Sequence, residues 1–271
     1  MERKLYKFSG AGNDFVVIDG REGDVSSFRE VARIEALCRE FRTDGLMILG
    51  SGDAEVDFVM EFYNPDGSGG MMCGNGGRCI VAFADYLGIR PSCHPELAEG
   101  SYLFRAPDGL HTGEILARPE DGLWEVRIKM IDVQGITPML GGYFLNTGTR
   151  HFIRFVDDVE QVDIDTEGKA LRWDPAFAPV GTNVNFVHVA PDGLHVRTFE
   201  KGVEGETLAC GTGLTASAIA AYAAAVIPSE AKESVRLRAR QDWLSVNFTP
   251  GPDEKFTDVF LTGPARLVEI R

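Results

Sequence analysis

The sequence predicts a strand-rich α/β protein made of two similar halves, and three observations predict it. Short segments in which apolar and polar residues alternate recur along all 271 residues, separated by turn dipeptides. Helical periodicity is convincing in only three places, and two of those helices are apolar nearly all round, the mark of a helix enclosed by other structure. A strand, a glycine-bearing loop, Cys-Gly-x-Gly and one of the enclosed helices occur in that order twice.

Taken along the chain, a strand at 15–18 is followed by a helix at 28–41, and a strand at 56–63 leads to the first enclosed helix at 78–87, which Gly88 ends. Strands follow at 124–130, 152–156 and 184–189. The second enclosed helix, alanine-dense, spans 214–226 and is stopped by Pro228, and a last strand covers 244–248. Pro-Asp-Gly-Leu-His occurs at 107–111 and again at 191–195, but it follows the cysteine motif in one half and precedes it in the other. Its Asp-Gly pairs read as hairpin turns rather than as part of the repeat.

The repeat aligns on two cysteines. Phe62-Tyr63-Asn64 is followed, nine residues after Asn64, by Cys73-Gly74-Asn75-Gly76, and Phe199-Glu200-Lys201 is followed, nine residues after Lys201, by Cys210-Gly211-Thr212-Gly213. An internal duplication is the economical explanation. Glycine and proline interrupt the strand pattern at 131–142, which places the boundary there: a first half at 1–132, completed by about 265–271, and a second at 133–264.

Composition limits the function. The net charge of −14 repels phosphate backbones and anionic lipid, so neither nucleic acid nor a membrane surface is expected as a partner. The one basic cluster, Arg236, Arg238 and Arg240, alternates with Leu237 and Ala239 and reads as the solvated face of a strand. No apolar run approaches the roughly 20 residues that span a bilayer. The charged opening carries no secretory pattern, and five irregularly spaced cysteines suit free thiols in a reducing compartment, so a cytoplasmic location is expected.

Two of those thiols are candidates for chemistry. Each Cys-Gly-x-Gly sits where a loop becomes a helix, which puts Cys73 and Cys210 beside helix-end N–H groups that favour a thiolate. The glycines allow an anion such as a carboxylate to approach the backbone. Two such sites suit the inversion of a carbon bearing hydrogen, amine and carboxylate, which needs a base on one face and an acid on the other. The N–H groups of Gly74, Asn75, Gly211 and Thr212 would stabilise charge spreading into the carboxylate, so no cofactor is expected. On the residues alone a buried structural role stays open for either cysteine, and the duplication is what favours chemistry. Cys38 and Cys79, within helices, read as small buried hydrophobes.

No metal site is expected. Cys73, Cys79, Cys93 and His94 are soft ligands, but they contain no Cys-x2-Cys pair. Gly74-Asn75-Gly76-Gly77 lacks a P-loop lysine, and Gly10-Ala11-Gly12-Asn13 opens no helix, so nucleotide binding is not expected either.

Over nearly its whole length the chain resembles the diaminopimelate epimerases. The resemblance is carried by Gly10-Ala11-Gly12-Asn13-Asp14-Phe15, by Asn64-Pro65-Asp66-Gly67 leading to Met72-Cys73-Gly74-Asn75-Gly76-Gly77-Arg78-Cys79, by Thr182-Asn183-Val184-Asn185-Phe186, and by Glu200-Lys201-Gly202 leading to Glu206-Thr207-Leu208-Ala209-Cys210-Gly211-Thr212-Gly213. It implies an α/β (α+β) fold of two pseudo-symmetric domains, each a β-barrel-like sheet around a central helix, with the active site in the cleft between them. It implies interconversion of LL- and meso-2,6-diaminopimelate, a step toward lysine and peptidoglycan precursors. By matching position, Cys73 and Cys210 would be the acid/base pair, and His151 and Glu200 would assist their ionisation. Gly74, Asn75, Gly211 and Thr212 would hold the reacting end of this small-molecule substrate, and Asn13, Asn64, Asn183, Glu200 and Lys201 would contact it, mainly at its distal amino-acid group.

The chain departs from the family pattern at several positions. Many members read Gly-Asn-Pro-His where this one has Gly148-Thr149-Arg150-His151, so Thr149 replaces a substrate-binding asparagine. Many also carry glutamine at the position of Gly45 and arginine at that of Lys201, and lysine does not make arginine's bidentate fork to a carboxylate. The C-terminus lacks a tyrosine that some relatives use in dimer contacts, which leaves a homodimer as an open expectation. Two rival readings stand beside the epimerase. A proline or hydroxyproline racemase typically places its second cysteine after Asp-Arg-x-Pro, whereas Cys210 follows Thr207-Leu208-Ala209. A binding module that has lost turnover would retain substrate affinity without proton exchange.

Overall fold

The computed structural model describes residues 3–70, 72–92, 97–98, 100–227 and 234–271. The chain divides into two compact units, Met1–Ile128 with Gly263–Arg271, and Lys129–Thr262.

The first unit contains β1 (Tyr6–Gly10), β2 (Asn13–Asp19), α1 (Val31–Phe41), β3 (Gly45–Ser51), β4 (Phe58–Tyr63), α2 (Gly74–Tyr86), β5 (Ser101–Ala106), β6 (Gly109–Glu120) and β7 (Leu123–Lys129). The strands neighbour one another in chain order. The chain's last strand (Phe256–Ile270) runs its final residues between β7 and β1 and pairs with both, so eight segments close into a barrel without a free edge. Only β2–β3 and β4–β5 are parallel, because a helix makes each of those crossovers.

The two helices cover opposite faces of the sheet. Every residue of α2 from Gly74 to Ala84 is buried, as an enclosed helix requires. On the other face Ile34, Leu37, Cys38 and Phe41 of α1 pack with Val16, Ile18, Leu46 and Ile48. Strands β2 and β3, covered on both faces, therefore read as continuous apolar runs, while β4 and β7 alternate buried with partly exposed positions.

The second unit repeats this order. It contains β8 (Ile136–Met139), β9 (Gly142–Asn146), β10 (Arg150–Phe155), the short α3 (Lys169–Arg172), β11 (Asn183–Ala190), β12 (Gly193–Glu200), β13 (Gly205–Thr207), α4 (Gly211–Ala223), β14 (Val235–Arg238), β15 (Trp243–Pro250) and the first half of β16 (Phe256–Ile270). Again two pairs are parallel, β10–β11 and β12–β14, and the second of these crossovers carries the enclosed helix α4. A Val133–Phe256 bridge lies where β7 meets β16 in the first unit's plan, and β13 is an added strand on β12. Phe177, Ile164 and Val159 pack on Phe152, Val184, Phe186 and Phe199 in the place that α1 takes in the first unit.

Particular expectations meet the structure as follows. The helix expected at 28–41 is a short turn at Ser26–Arg29 followed by α1, and the enclosed helices start at Gly74 and Gly211, several residues before their apolar periodicity. Pro228 lies outside the described residues. Both Pro-Asp-Gly-Leu-His segments form hairpin turns, β5–β6 and β11–β12. Arg236 and Arg238 are exposed on β14 while Val235 and Leu237 face inward. Among the described residues no helix is long and apolar enough to cross a membrane.

Candidate active site

Cys73 is the N-cap of α2. Its backbone is extended and its Sγ accepts the Gly76 N–H at 3.3 Å, so the thiol lies at the positive end of a thirteen-residue helix. The residue before it is also held: Asp108, at the β5–β6 turn, accepts the Met72 N–H at 3.0 Å and lies 3.2 Å from His111 Nε2. Behind the cysteine the first helical turn is tied to β1 and β2. Arg78, fully buried, donates to Asn75 Oδ1 at 2.9 Å and to the carbonyls of Gly74 and Pro264 at 3.3 Å each. The Asn75 amide donates to Asn13 Oδ1 at 2.6 Å, and Asn13 donates to Asp44 at 3.3 Å. Gly10 permits this approach, since a β-carbon there would meet the Asn75 carbonyl at 2.7 Å and Cys79 Sγ at 2.9 Å. Asn64 stands at the start of the loop, where its side chain donates to Ser68 Oγ at 3.0 Å and its carbonyl accepts from the Gly67 N–H.

Cys210 is the N-cap of α4 in the second unit, 8% exposed. Its neighbour is a hydroxyl: Sγ lies 3.4 Å from Thr212 Oγ1. Thr212 Oγ1 is 2.9 Å from His151 Nε2, and Thr149 Oγ1 is 2.9 Å from the same nitrogen and 3.3 Å from Thr212 Oγ1. Thr147 Oγ1 donates to the Thr212 carbonyl at 2.8 Å. On its other side the fully buried imidazole meets Asn185, whose Nδ2 is 3.0 Å from His151 Nδ1, and burial pushes the His151 pKa down to about 3, so the ring is neutral. Gly213 lets α4 start against this ring, since a β-carbon there would overlap Asn185 Oδ1 and lie 3.3 Å from His151 Cε1.

The structure thus groups Asn13, Gly74 and Asn75 with Cys73, and His151, Asn183, Gly211 and Thr212 with Cys210. Asn183 is a tie between strands: it donates to Thr149 Oγ1 at 3.2 Å and to the Arg150 carbonyl at 2.9 Å, and accepts the Lys201 N–H at 2.8 Å. Glu200, at the end of β12, accepts from Thr207 Oγ1 at 2.9 Å. Reasoning from the sequence did not single out Asp108, Thr147, Asn185 or Thr198, whose hydroxyl donates to Asn185 Oδ1 at 2.9 Å, and it gave no role to Arg78. Only Arg78 carried a signal, a charge inside a helix that is otherwise enclosed.

The remaining thiols differ in kind. Cys38 and Cys79 are buried, and burial raises the pKa of both, which keeps them protonated. Among the described residues no group of three or more His, Cys, Asp or Glu is placed to hold a metal ion, and the Cys93 and His94 of the zinc alternative lie outside the described residues.

A sequence-family model described as diaminopimelate epimerase matches residues 5–106 and 143–268, which include every residue named around the two cysteines except Asp108 and His111. The chain belongs to the diaminopimelate epimerase family. Diaminopimelate epimerase of Flavobacterium psychrophilum is 39% identical over 269 residues, 98% of each chain, and that of Chlorobaculum tepidum is 38% identical over 96% of this chain and 97% of its own. Similar folds occur in a Bacillus anthracis phenazine biosynthesis protein of the PhzF family (TM-score 0.71, 12% identity, 100% of this chain and 99% of that one) and a probable proline racemase from Agrobacterium radiobacter (TM-score 0.65, 15% identity, 100% and 92%). At those identities they bear on the fold alone.

Proposed function

We propose that this chain is an isomerase that interconverts LL- and meso-2,6-diaminopimelate by two-base epimerisation without a cofactor, with Cys73 and Cys210 as the base and acid. One observation carries the reading: in a chain of this family, each of two units with the same element order starts its enclosed helix on a cysteine of a Cys-Gly-x-Gly segment. The Gly76 N–H donates to Cys73 Sγ, which favours the thiolate that a base must become, and Cys210 Sγ lies 3.4 Å from the Thr212 hydroxyl.

In this proposal the two sulfurs reach opposite faces of one substrate carbon. One takes the α-proton, the other delivers a proton, and the reverse reaction exchanges the roles. The helix-end N–H groups of Gly74, Asn75, Gly211 and Thr212 hold the substrate carboxylate while charge spreads into it, replacing the electron sink that a cofactor would supply. Asn13, Asn64, Asn183, Glu200 and Lys201 are assigned to the distal amino-acid group, Asn183 through the second lone pair of its Oδ1. The partner is a small amino acid, and the reaction is placed in the cytoplasm, where the thiols stay reduced.

Proton NMR in deuterated buffer tests substrate, chemistry and residues together. With LL-diaminopimelate and reductant, the protein should lose the α-proton signal and yield the meso isomer, and Cys73→Ala and Cys210→Ala should each abolish turnover. Intact α-proton signals with the unaltered protein would remove the proposal.

A further inference from the structure

We propose that Thr149 is a positioning residue for Cys210: its hydroxyl completes a one-way chain of hydrogen bonds that delivers the Thr212 hydroxyl hydrogen to the thiol. The inference rests on the reading that Cys210 acts on the substrate.

The hydrogen positions follow from the partners. Asn185 Nδ2 lies 3.3 Å from the Phe152 carbonyl, which only accepts, so the amide turns its NH2 that way and its Oδ1 to Thr198 Oγ1 at 2.9 Å. The same NH2 faces His151 Nδ1 at 3.0 Å, so Nδ1 is the acceptor of a neutral ring and the proton sits on Nε2. That N–H points between the hydroxyls of Thr149 and Thr212, each 2.9 Å away.

Thr149 Oγ1 also receives Asn183 Nδ2 at 3.2 Å. With two donors on its lone pairs, its own hydrogen goes onward to Thr212 Oγ1 at 3.3 Å. Thr212 Oγ1 then receives both His151 and Thr149, and its hydrogen is left for Cys210 Sγ at 3.4 Å. Every step runs toward sulfur, and chains of this kind polarise one another. The thiolate at Cys210 is therefore supported by a hydroxyl fed from a neutral imidazole, not by an imidazolium ion. Thr149, standing where many relatives place a substrate-binding asparagine, is an exposed residue whose hydroxyl meets three partners of this hydrogen-bond chain.

The test uses substrate-free protein. Thr149→Val keeps the shape and removes the hydroxyl, whereas Thr149→Ser keeps the hydroxyl. Cys210 alkylation by iodoacetamide is followed peptide by peptide at fixed pH, with Cys73 as internal reference, and ¹⁵N NMR of the His151 ring reads its tautomer. Thr149→Val should slow Cys210 about fivefold, the worth of one hydrogen bond, leave Cys73 unchanged and disturb the His151 signals, while Thr149→Ser retains the original rate. If Thr149→Val does not fold, Thr149→Ala gives the same reading. In turnover with diaminopimelate the loss should fall on kcat. A variant that raises KM alone, with Cys210 reactivity and the His151 ring unchanged, would show Thr149 to be a substrate contact and overturn the proposal. Lack of turnover in the unaltered protein would sink the epimerase reading but leave these thiol and ring measurements decisive.

Discussion

The third residue after each cysteine is glycine in both copies of the motif, yet replacing it by alanine should have opposite consequences in the two units. At Gly213 an added β-carbon overlaps Asn185 Oδ1 and presses on Asn185 Cγ and His151 Cε1, each at 3.3 Å. Asn185 has nowhere to go, because it is fully buried and held by Thr198, Phe152 and His151. Overpacking costs about 1–3 kcal/mol, and a broken buried hydrogen bond costs about 1–3 kcal/mol more. Alanine returns about 1 kcal/mol of helix propensity. The balance is a loss of about 3 kcal/mol. At Gly76 the same β-carbon meets Cys73 Sγ at 3.3 Å, Met47 Sδ at 3.5 Å and Met60 Cε at 3.7 Å, ends of flexible side chains that yield. There propensity decides, and stability should hold or rise slightly. Urea unfolding of both variants, followed by circular dichroism, makes the comparison. Equal destabilisation at both positions would refute the idea that the buried amide and imidazole, rather than the glycine motif itself, forbid a side chain at 213.

Three further outcomes follow from the same geometry. Arg78→Met leaves buried carbonyls and the Asn75 amide without their donor and should cost about 3–5 kcal/mol in urea unfolding, with Arg78→Lys recovering only part because an ammonium lacks the fork. The depressed His151 pKa makes stability fall on acidification: between the unfolded value near 6.5 and about 3 the unfolded chain binds a proton that the folded ring refuses. His151→Gln should therefore flatten the acid limb by about 1.4 kcal/mol per pH unit across that window, as unfolding titrations at several pH values will show. Iodoacetamide should modify exposed Cys73 first, Cys210 more slowly, and buried Cys38 and Cys79 not at all before unfolding, as peptide mass spectrometry will read out.

The fold class was legible because two physical signals survive in one sequence, period-two alternation and helices without a polar face. The start of each enclosed helix was legible from the Cys-Gly-x-Gly segment but not from apolar periodicity, which begins several residues later. Gly74-Asn75-Gly76-Gly77 is poor helix-forming material, and its helical state comes from burial inside the barrel and from the Arg78 and Asn13 hydrogen bonds. Of strand β16 only the return of about 265–271 to the first half was anticipated, and not its length. Gly263-Pro264 lies within a fifteen-residue strand, where pairing to β15 gives way to pairing to β7. The cysteines, His151 and the flanking glycines were legible as motif and resemblance. Asn185, Thr198 and Asp108 were not, because their meaning depends on which strands meet. Asp108 was visible only as a turn residue, and its second role, receiving the Met72 N–H, requires the β5–β6 turn to reach the Cys73 loop.

Duplication has preserved the backbone device in both units while changing what stands around the sulfur. Cys73 caps its own helix by taking the Gly76 N–H, and it is exposed. At Cys210 the sulfur meets a hydroxyl, and the space before α4 is filled by an imidazole and an amide that Gly213 alone admits. The first arrangement uses a backbone donor of the helix end. The second depends on a ring whose neutrality is enforced by burial, so it fails when that burial is lost. In the proposed reaction the two thiols exchange roles and so need similar acidity, which here would have to arise from unlike causes. The consequence is that perturbing the His151 network should unbalance the pair, lowering the iodoacetamide reactivity of Cys210 relative to Cys73 while kcat/KM falls by the same factor in both directions, as the fixed equilibrium between the isomers requires.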